Sequence, residues 1–343
     1  MTEPTYYTES TDSATFYYDD PVGNWCNMED IVSLSATFSS VLYSLIFLLS
    51  LLGNSLVLWI IMKYENLMSL TNLFIMNLCI SDLAFSCTLP FGIVSNFYGW
   101  IFGPFLCKAV NAIFSVSFYG GVILLTIMTI LRYLAVVDPL STLRTQTRRC
   151  GVLASLAIWT SSMLVVVPEV IFTDLIPKGG KQHCEYINDT WKLVEMSQQI
   201  VFFLVSFITI AICYIKILKI LLRSRSQRRH RTVKLIFTIV LVFFLCWGPF
   251  NVLCFLQVLS SWSIIKLSCQ SRRLVFFAFD ISRKVAFCHC CLNPVLYVFV
   301  GVKFRRHLKL LYKQCSPFHS KTQPSSPRIH SFHMGPYEDA SMY

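Results

Sequence analysis

"FLCKAVNAIFSVSFYGGVILLTIMTILRYLAVV", Phe105 to Val137, is a run whose charged residues are Lys108 near its start and Arg132 near its end. The hydrocarbon core of a bilayer is about 30 Å thick and takes roughly 20 mostly apolar residues of helix. At 1.5 Å per residue, the 25 residues from Cys107 to Arg132 cover roughly 38 Å. The run therefore crosses a membrane, with Cys107 at one rim and Arg132 at the other. Six more runs of this kind flank it: Val32–Met62, Leu70–Phe97, Gly151–Phe172, Trp191–Leu222, Thr232–Leu259 and Leu274–Val300. Of the 343 residues, 55% are hydrophobic and 14% charged, and the mean hydropathy is +0.59, which lies outside the range of soluble domains. The expected fold is an all-α membrane protein, a seven-transmembrane helix bundle.

Basic residues set the expected orientation, because Lys and Arg accumulate on the cytoplasmic side of span ends. None occurs before Lys63, whereas Lys216–Lys234 reads "KILKILLRSRSQRRHRTVK" and Lys303–Lys313 reads "KFRRHLKLLYK". The N-terminus is expected outside, in a multi-pass plasma-membrane protein. Its first thirty residues lack the positive n-region of a signal peptide, so the first span acts as its own insertion signal. The net charge of +11 is then an inner-face feature that serves topology and attraction to anionic lipid rather than nucleic acid.

Four segments follow from this. Residues 1–30 form an acidic, tyrosine-rich arm that carries Glu3, Glu9, Asp12, Asp19, Asp20, Glu29 and Asp30 and suits a cationic partner. Residues 31–302 form the seven-span body. Residues 303–315 carry Phe304, Leu308, Leu311 and Tyr312 at helical spacing among basic residues, which predicts a short amphipathic cytoplasmic helix 8 on the inner leaflet. Cys315 at its end is a palmitoylation candidate. Residues 316–343, with several Ser and Pro, are expected to be a disordered tail.

Of fourteen cysteines, four are placed on the outer side: Cys26 in the arm, Cys107 at the start of span three, Cys184 between spans four and five, and Cys269 before span seven. Two outer disulfides are expected, with all three pairings open. The chain has no CxxC pair at zinc spacing, glycine-rich phosphate loop or GxSxG, so it does not read as an enzyme and no cofactor is expected. "CHCC" at Cys288–Cys291 lies at lipid depth without a second cluster, and no metal site is assigned to it.

A charge in a span costs roughly 2.5–3.5 kcal/mol at the bilayer centre, so Asp82 in "NLCISDLAF" marks function. Asn54 and Asn293 lie at mid-depth in spans one and seven, where their amides are expected to hydrogen-bond the Asp82 carboxylate. Pro90, Pro249 and Pro294 interrupt spans two, six and seven, each removing a backbone hydrogen bond. In "CWGPF", Trp247 stands beside the weak point at Pro249, where a ligand pressing on it would swing the inner half of span six.

Taken in order, Asn54, "LCISD" ending in Asp82, Cys107, Arg132-Tyr133, Trp159, "CWGPF" and "NPVLY" resemble the signatures of rhodopsin-like (class A) G-protein-coupled receptors across the whole seven-span body. "TLP" at Thr88–Pro90, "HCCLNPVLY" at His289–Tyr297 and the Cys26/Cys269 pair resemble chemokine receptors. "SLLGNSLVLW", "DPLSTLRTQT", "RSRSQRRHRTVKLIF" and "NPVLYVFVGVKF" resemble those for C-class chemokines. The resemblance implies disulfides Cys107–Cys184 and Cys26–Cys269, and a basic secreted chemokine held by Tyr6, Tyr7, Tyr17, Tyr18, Asp19 and Asp20, with the tyrosines sulfated. The ligand's flexible end would enter the pocket and bias Trp247. Arg132 and Tyr133 would meet a heterotrimeric G protein of the Gi/o class, with Tyr214 and Tyr297 supporting the open state. Receptor kinases and arrestin would act on Ser320, Thr322, Ser325 and Ser326. Asn188-Asp189-Thr190 is an N-glycosylation sequon on the outer side.

This chain departs from the family pattern at several positions. Leu131 stands where the family usually has Asp before Arg132, and Arg228, Arg229 and Arg231 offer no acid from span six. Raised basal signalling is expected; the alternative is a scavenging receptor that internalises ligand without activating G protein. Ser206 replaces a common span-five proline. Gly121 replaces a hydroxyl, so an allosteric sodium ion beside Asp82 is not expected. Arg283, followed by Lys284, replaces an acid on the pocket face of span seven, which leaves Glu169 or Asp280 to read a ligand's positive end. The lack of internal repeats argues against a transporter, and Lys284 lies too near the outer end for an opsin.

Overall fold

In lipid every backbone N–H and C=O must be satisfied within the protein, so each long apolar run closes into a helix. The computed structural model describes residues 29–66, 69–138, 147–223, 227–262, 264–265, 268–300 and 305–308. Span one is α1 (Glu29–Tyr64), span two α2 (Leu70–Ser86) and α3 (Leu89–Tyr98), and span three α4 (Gly103–Val137). Span four is α5 (Arg148–Phe172), followed by β1 (Thr173–Lys178) and β2 (Lys181–Tyr186). Span five is α6 (Asp189–Arg223), span six α7 (Gln227–Ser261), and span seven α8 (Cys269–Phe287) and α9 (His289–Val300). The arm, Cys26, Cys315 and the tail, with all the candidate residues they hold, lie outside the described residues.

Six of these spans are apolar enough to cross a membrane by length and composition. The seventh carries Arg273, Asp280, Arg283 and Lys284 in α8 and takes its place through packing: α8 lies against span six, and α9 against spans one, two and six. Span three is the hub, in contact with spans two, four, five and six. Leu45, Leu52, Leu164 and Leu245 face outward, as a lipid-contacting surface requires.

The prolines act less uniformly than their sequence positions suggest. Span two breaks at Cys87–Thr88, where the Thr88 hydroxyl donates to Phe85 O at 2.7 Å. Pro90 then falls in the first turn of α3, where a missing N–H costs little. Span seven breaks at Cys288, upstream of Pro294. Span six runs through Pro249 unbroken, and span four contains Pro168, a proline that carries no weight in the sequence reading. Because Pro294 has no N–H, the Cys290 carbonyl lacks its helical donor. Asn54 supplies one instead, its Nδ2 donating to Cys290 O at 2.9 Å.

Spans two and four are fastened by a buried relay. Trp159 Nε1 donates to Asn77 Oδ1 at 2.9 Å, and Asn77 Nδ2 donates to Ser155 Oγ at 3.0 Å. At one end of the bundle the strands pair antiparallel, from Thr173 opposite Tyr186 to Lys178 opposite Lys181. They turn at Gly179 and Gly180, both at positive φ. A Cys107–Cys184 disulfide ties this hairpin to span three. Trp100 N–H donates to Gln182 O at 2.6 Å. The neighbouring Gly99 is required there: its φ is +72°, and a Cβ would lie 2.8 Å from Gln182 O.

Candidate ligand-binding and signalling site

Beneath the hairpin, a small pocket is lined by Val165, Pro168, Glu169, Tyr186, Trp191, Val194, Glu195 and Gln198. The start of span five that builds its wall is positioned twice. Asn188 Oδ1 accepts from Trp191 N–H at 3.1 Å, and the Trp191 ring stacks on Phe172 at 3.6 Å between centroids. Asn188 itself is exposed. Glu169, the span-four acid that the sequence offers as a reader of the ligand's positive end, lies on the pocket wall.

Burial first, and then the nearby Glu195 and Glu169, hold the Tyr186 phenol well above its usual range. Its hydroxyl is shielded from solvent and has no hydrogen-bond partner among the described residues. Tyr119 accepts from Gln198 Nε2 at 3.1 Å. Glu195 is not among the residues that the sequence singles out; a carboxylate in the first turns of an apolar span is the signal that points to it.

The span-seven candidates sit elsewhere. Asp280 takes two cations: buried Lys284 forms an ion pair with it, and Arg283 Nη2 lies 3.3 Å from its Oδ1. The Lys284 ammonium also lies over the Phe38 ring. Among the described residues, one carboxylate there faces two cations.

Deeper in the bundle, Trp247 is fully buried, its ring 4.4 Å from Phe118 and 5.4 Å from His289 between centroids. His289 donates from Nδ1 to Ala286 O at 2.7 Å and places Nε2 3.6 Å from Asp82 Oδ1. The other carboxylate oxygen accepts from Asn293 Nδ2 at 2.8 Å. The expected cluster is thus half realised: Asn293 binds Asp82, while Asn54 serves the Cys290 carbonyl and Ser50. His289 is the member that sequence reasoning missed, because "HCC" carries weight there only as a motif and a metal candidate. Gly121, the position where a hydroxyl would help hold a sodium ion, offers no side-chain oxygen.

At the opposite end, Arg132 is half-buried and its guanidinium donates to the Thr71 hydroxyl of span two. Leu131 packs against the core. Tyr214 is buried beside Thr129 and Arg132, and the Lys216 ammonium lies 5.4 Å over the Tyr133 ring. The side chains of Tyr297, Cys269 and Arg228, Arg229 and Arg231 lie outside the described residues. Past span seven, His307 Nε2 lies 3.1 Å from Glu65 Oε1 and its ring stacks on Tyr64, which fixes residues 305–308 to the end of span one.

The family model of the 7 transmembrane receptor (rhodopsin family) matches residues 53–297. The chain belongs to that family. Chemokine XC receptor 1 of Homo sapiens is 50% identical over 97% of this chain and 98% of its own length. Within the family, then, the receptor is a chemokine receptor and not an enzyme. The Mus musculus protein of the same name is 47% identical over 97% of this chain and all of its own length. CX3C chemokine receptor 1 of Bos taurus is 35% identical over 90% of this chain and 86% of its own. The receptor's buried fastenings, from Asn77–Trp159 to Asp82–Asn293, fall inside the matched segment.

Proposed function

We propose that this receptor binds an XC chemokine outside the cell and activates Gi/o heterotrimeric G proteins, leading to calcium mobilisation and chemotaxis. The observation that carries this reading is likeness along almost the whole chain to two receptors named for XC chemokines. The N-terminus and the hairpin lie outside. The acidic arm steers and holds the basic ligand through Tyr6, Tyr7, Tyr17, Tyr18, Asp19 and Asp20, and a Cys26–Cys269 disulfide ties the arm to span seven. The ligand's inserted end presses toward Trp247. Asp82, Asn293, Asn54 and Pro294 then rearrange without a bound sodium ion. Arg132, Tyr133, Tyr214 and Tyr297 receive the G protein. Receptor kinases and arrestin act on the tail, Asn188 carries glycan, Cys315 carries palmitate, and helix 8 lies on the inner leaflet.

Leu131 favours a second reading, a scavenger that internalises ligand without signalling. The two are separated by G-protein activation in cells expressing this chain, with and without a recombinant XC chemokine and a Gi-blocking toxin. Toxin-sensitive activation is the expected result. Binding and uptake without activation would establish the scavenger, and absence of binding would remove the XC assignment.

A further inference from the structure

Where the chain enters span four it reads "LRTQTRRC", Leu143 to Cys150, with Arg144 three residues before Thr147 and Arg148 and Arg149 directly after it. Guanidinium groups at these distances from a hydroxyl are what basophilic protein kinases read, through charge-assisted pairing with the acids of their substrate groove. The other hydroxyls of the segment lack that arginine: Ser141, Thr142 and Thr145 have Asp138, Pro139 and Thr142 in its place. Ser226 and Thr232 do follow an arginine by three residues, but their side chains lie outside the described residues.

Thr147 is exposed, as are Arg149 and Cys150 after it. Its backbone is extended, at φ −97° and ψ 151°, and it caps span four, its Oγ1 accepting from Cys150 N–H at 3.3 Å. The helix is seated at Gly151, which is buried and where a Cβ would fall 2.5 Å from Leu70 Cδ1 and 2.8 Å from Leu73 Cδ2. The exposed turn before it can therefore fray into the extended form that a kinase groove takes, without unseating the span. Leu70 and Leu73 flank Thr71, whose hydroxyl accepts from Arg132. The start of span four and the Arg132 guanidinium thus rest on one turn of span two.

We propose that Thr147 is a phosphorylation site for a basophilic protein kinase, and that its phosphate restrains G-protein activation. The kinase transfers the γ-phosphoryl group of a nucleoside triphosphate: the Oγ1–P bond forms, the bond to the departing diphosphate breaks, and the hydroxyl proton passes to the kinase. The product carries about −1.5 to −2 charges at pH 7. Its oxygens keep an acceptor at the cap, and negative charge there firms the first turn of the helix. A firmer first turn holds Leu70 and Leu73 in place, and with them the Thr71 hydroxyl on Arg132. This assignment rests on the reading above that the N-terminus lies outside, which puts Thr147 in the cytoplasm.

The test expresses the full chain in cells treated with ligand and with a phorbol ester that stimulates basophilic kinases. The purified receptor is cut with chymotrypsin and its peptides are fragmented in a mass spectrometer. Phosphate is expected on Thr147 within the peptide Arg144–Leu153, and Arg144→Gln should lower its occupancy severalfold. Thr147→Asn and Thr147→Asp both keep the cap and differ in charge. Ligand-stimulated Gi activation at matched surface level should be about two- to fivefold lower in Thr147→Asp than in Thr147→Asn, the scale of one exposed charge interaction; a cap of purely structural value would leave the two equal. Phosphate on the tail but none on Thr147, or equal activation by the two variants, would overturn the proposal. Phosphate on neither segment would overturn the orientation, and this site with it. Ligand uptake without any G-protein activation would overturn the restraint, with the peptide still deciding the site.

Discussion

Replacing Leu131 with aspartate sets a carboxylate beside Arg132, whose guanidinium reaches across to the Thr71 hydroxyl of span two. Opposite charges about 4 Å apart, at an effective dielectric near 20, attract by about 4 kcal/mol. Arg132 is half-buried, so withdrawing the new carboxylate from water and immobilising both side chains offsets much of that, leaving about 1–2 kcal/mol. The pair is available only while the ends of spans two and three hold Arg132. That net energy therefore shifts the resting-to-active equilibrium toward rest by about five- to thirtyfold. Leu131 also packs on the core, but that contact is lost from both states and lowers receptor yield rather than the ratio. The assay is ligand-independent Gi activation per receptor at the surface. Leu131→Asp should lower it about fivefold or more, and Thr71→Val, which removes the hydroxyl that Arg132 holds, should raise it. Unchanged basal signalling in Leu131→Asp at matched surface level would refute the reasoning.

Trp159→Phe removes the indole donor from buried Asn77 Oδ1, which should cost about 1–3 kcal/mol and lower the melting temperature of the detergent-purified receptor. Gly53→Ala places a Cβ 2.9 Å from both Cβ and Cγ of Pro294, atoms of a rigid ring. It should cost about 1–3 kcal/mol in the same melting assay, whereas Gly121→Ala, which meets nothing within 4 Å, should leave the melting temperature unchanged. Cys107→Ser opens a bridge between residues 77 apart in sequence, worth about 4 kcal/mol by chain entropy. It should free the hairpin and abolish ligand binding measured at the cell surface.

The spans were legible because lipid leaves a helix as the only way to satisfy a long apolar backbone, and their observed ends fall within a few residues of the expected ones. Span seven was legible despite Arg273, Asp280, Arg283 and Lys284 because its inner half, "HCCLNPVLYVFV", is apolar. The breaks were not legible at their true positions. Proline names a missing donor, but the site of the bend depends on which partner replaces it, and Asn54 reaches Cys290 across 236 residues of sequence. Asp82 with Asn293 could be anticipated as two polar groups at one depth. His289 could not be separated from its cysteine neighbours without knowing that it turns toward Asp82. The hairpin had a local signal in Gly179-Gly180 that a reading for apolar spans does not register, and Glu195 was hidden inside a run notable only for its apolar residues.

Between the pocket beneath the hairpin and Arg132 the rings of Phe118, Trp247 and His289 are in continuous contact, and His289 ends against Asp82. Span six is unbroken at Pro249, so displacement of Trp247 moves that helix as a body. Span seven is broken at Cys288, next to His289, so the same displacement meets the weakest stretch of span seven one turn above Asn293. Contact of this kind is a route for coupling only if the two side chains bias one equilibrium. A double-mutant cycle of Trp247→Phe with His289→Asn, read as ligand-stimulated G-protein activation at matched surface level, decides it. A coupling energy of about 0.5 kcal/mol or more is expected for residues in contact within one two-state element. Strictly additive effects would mean that span six responds to the ligand without the help of span seven, and that the Asp82 cluster serves stability alone.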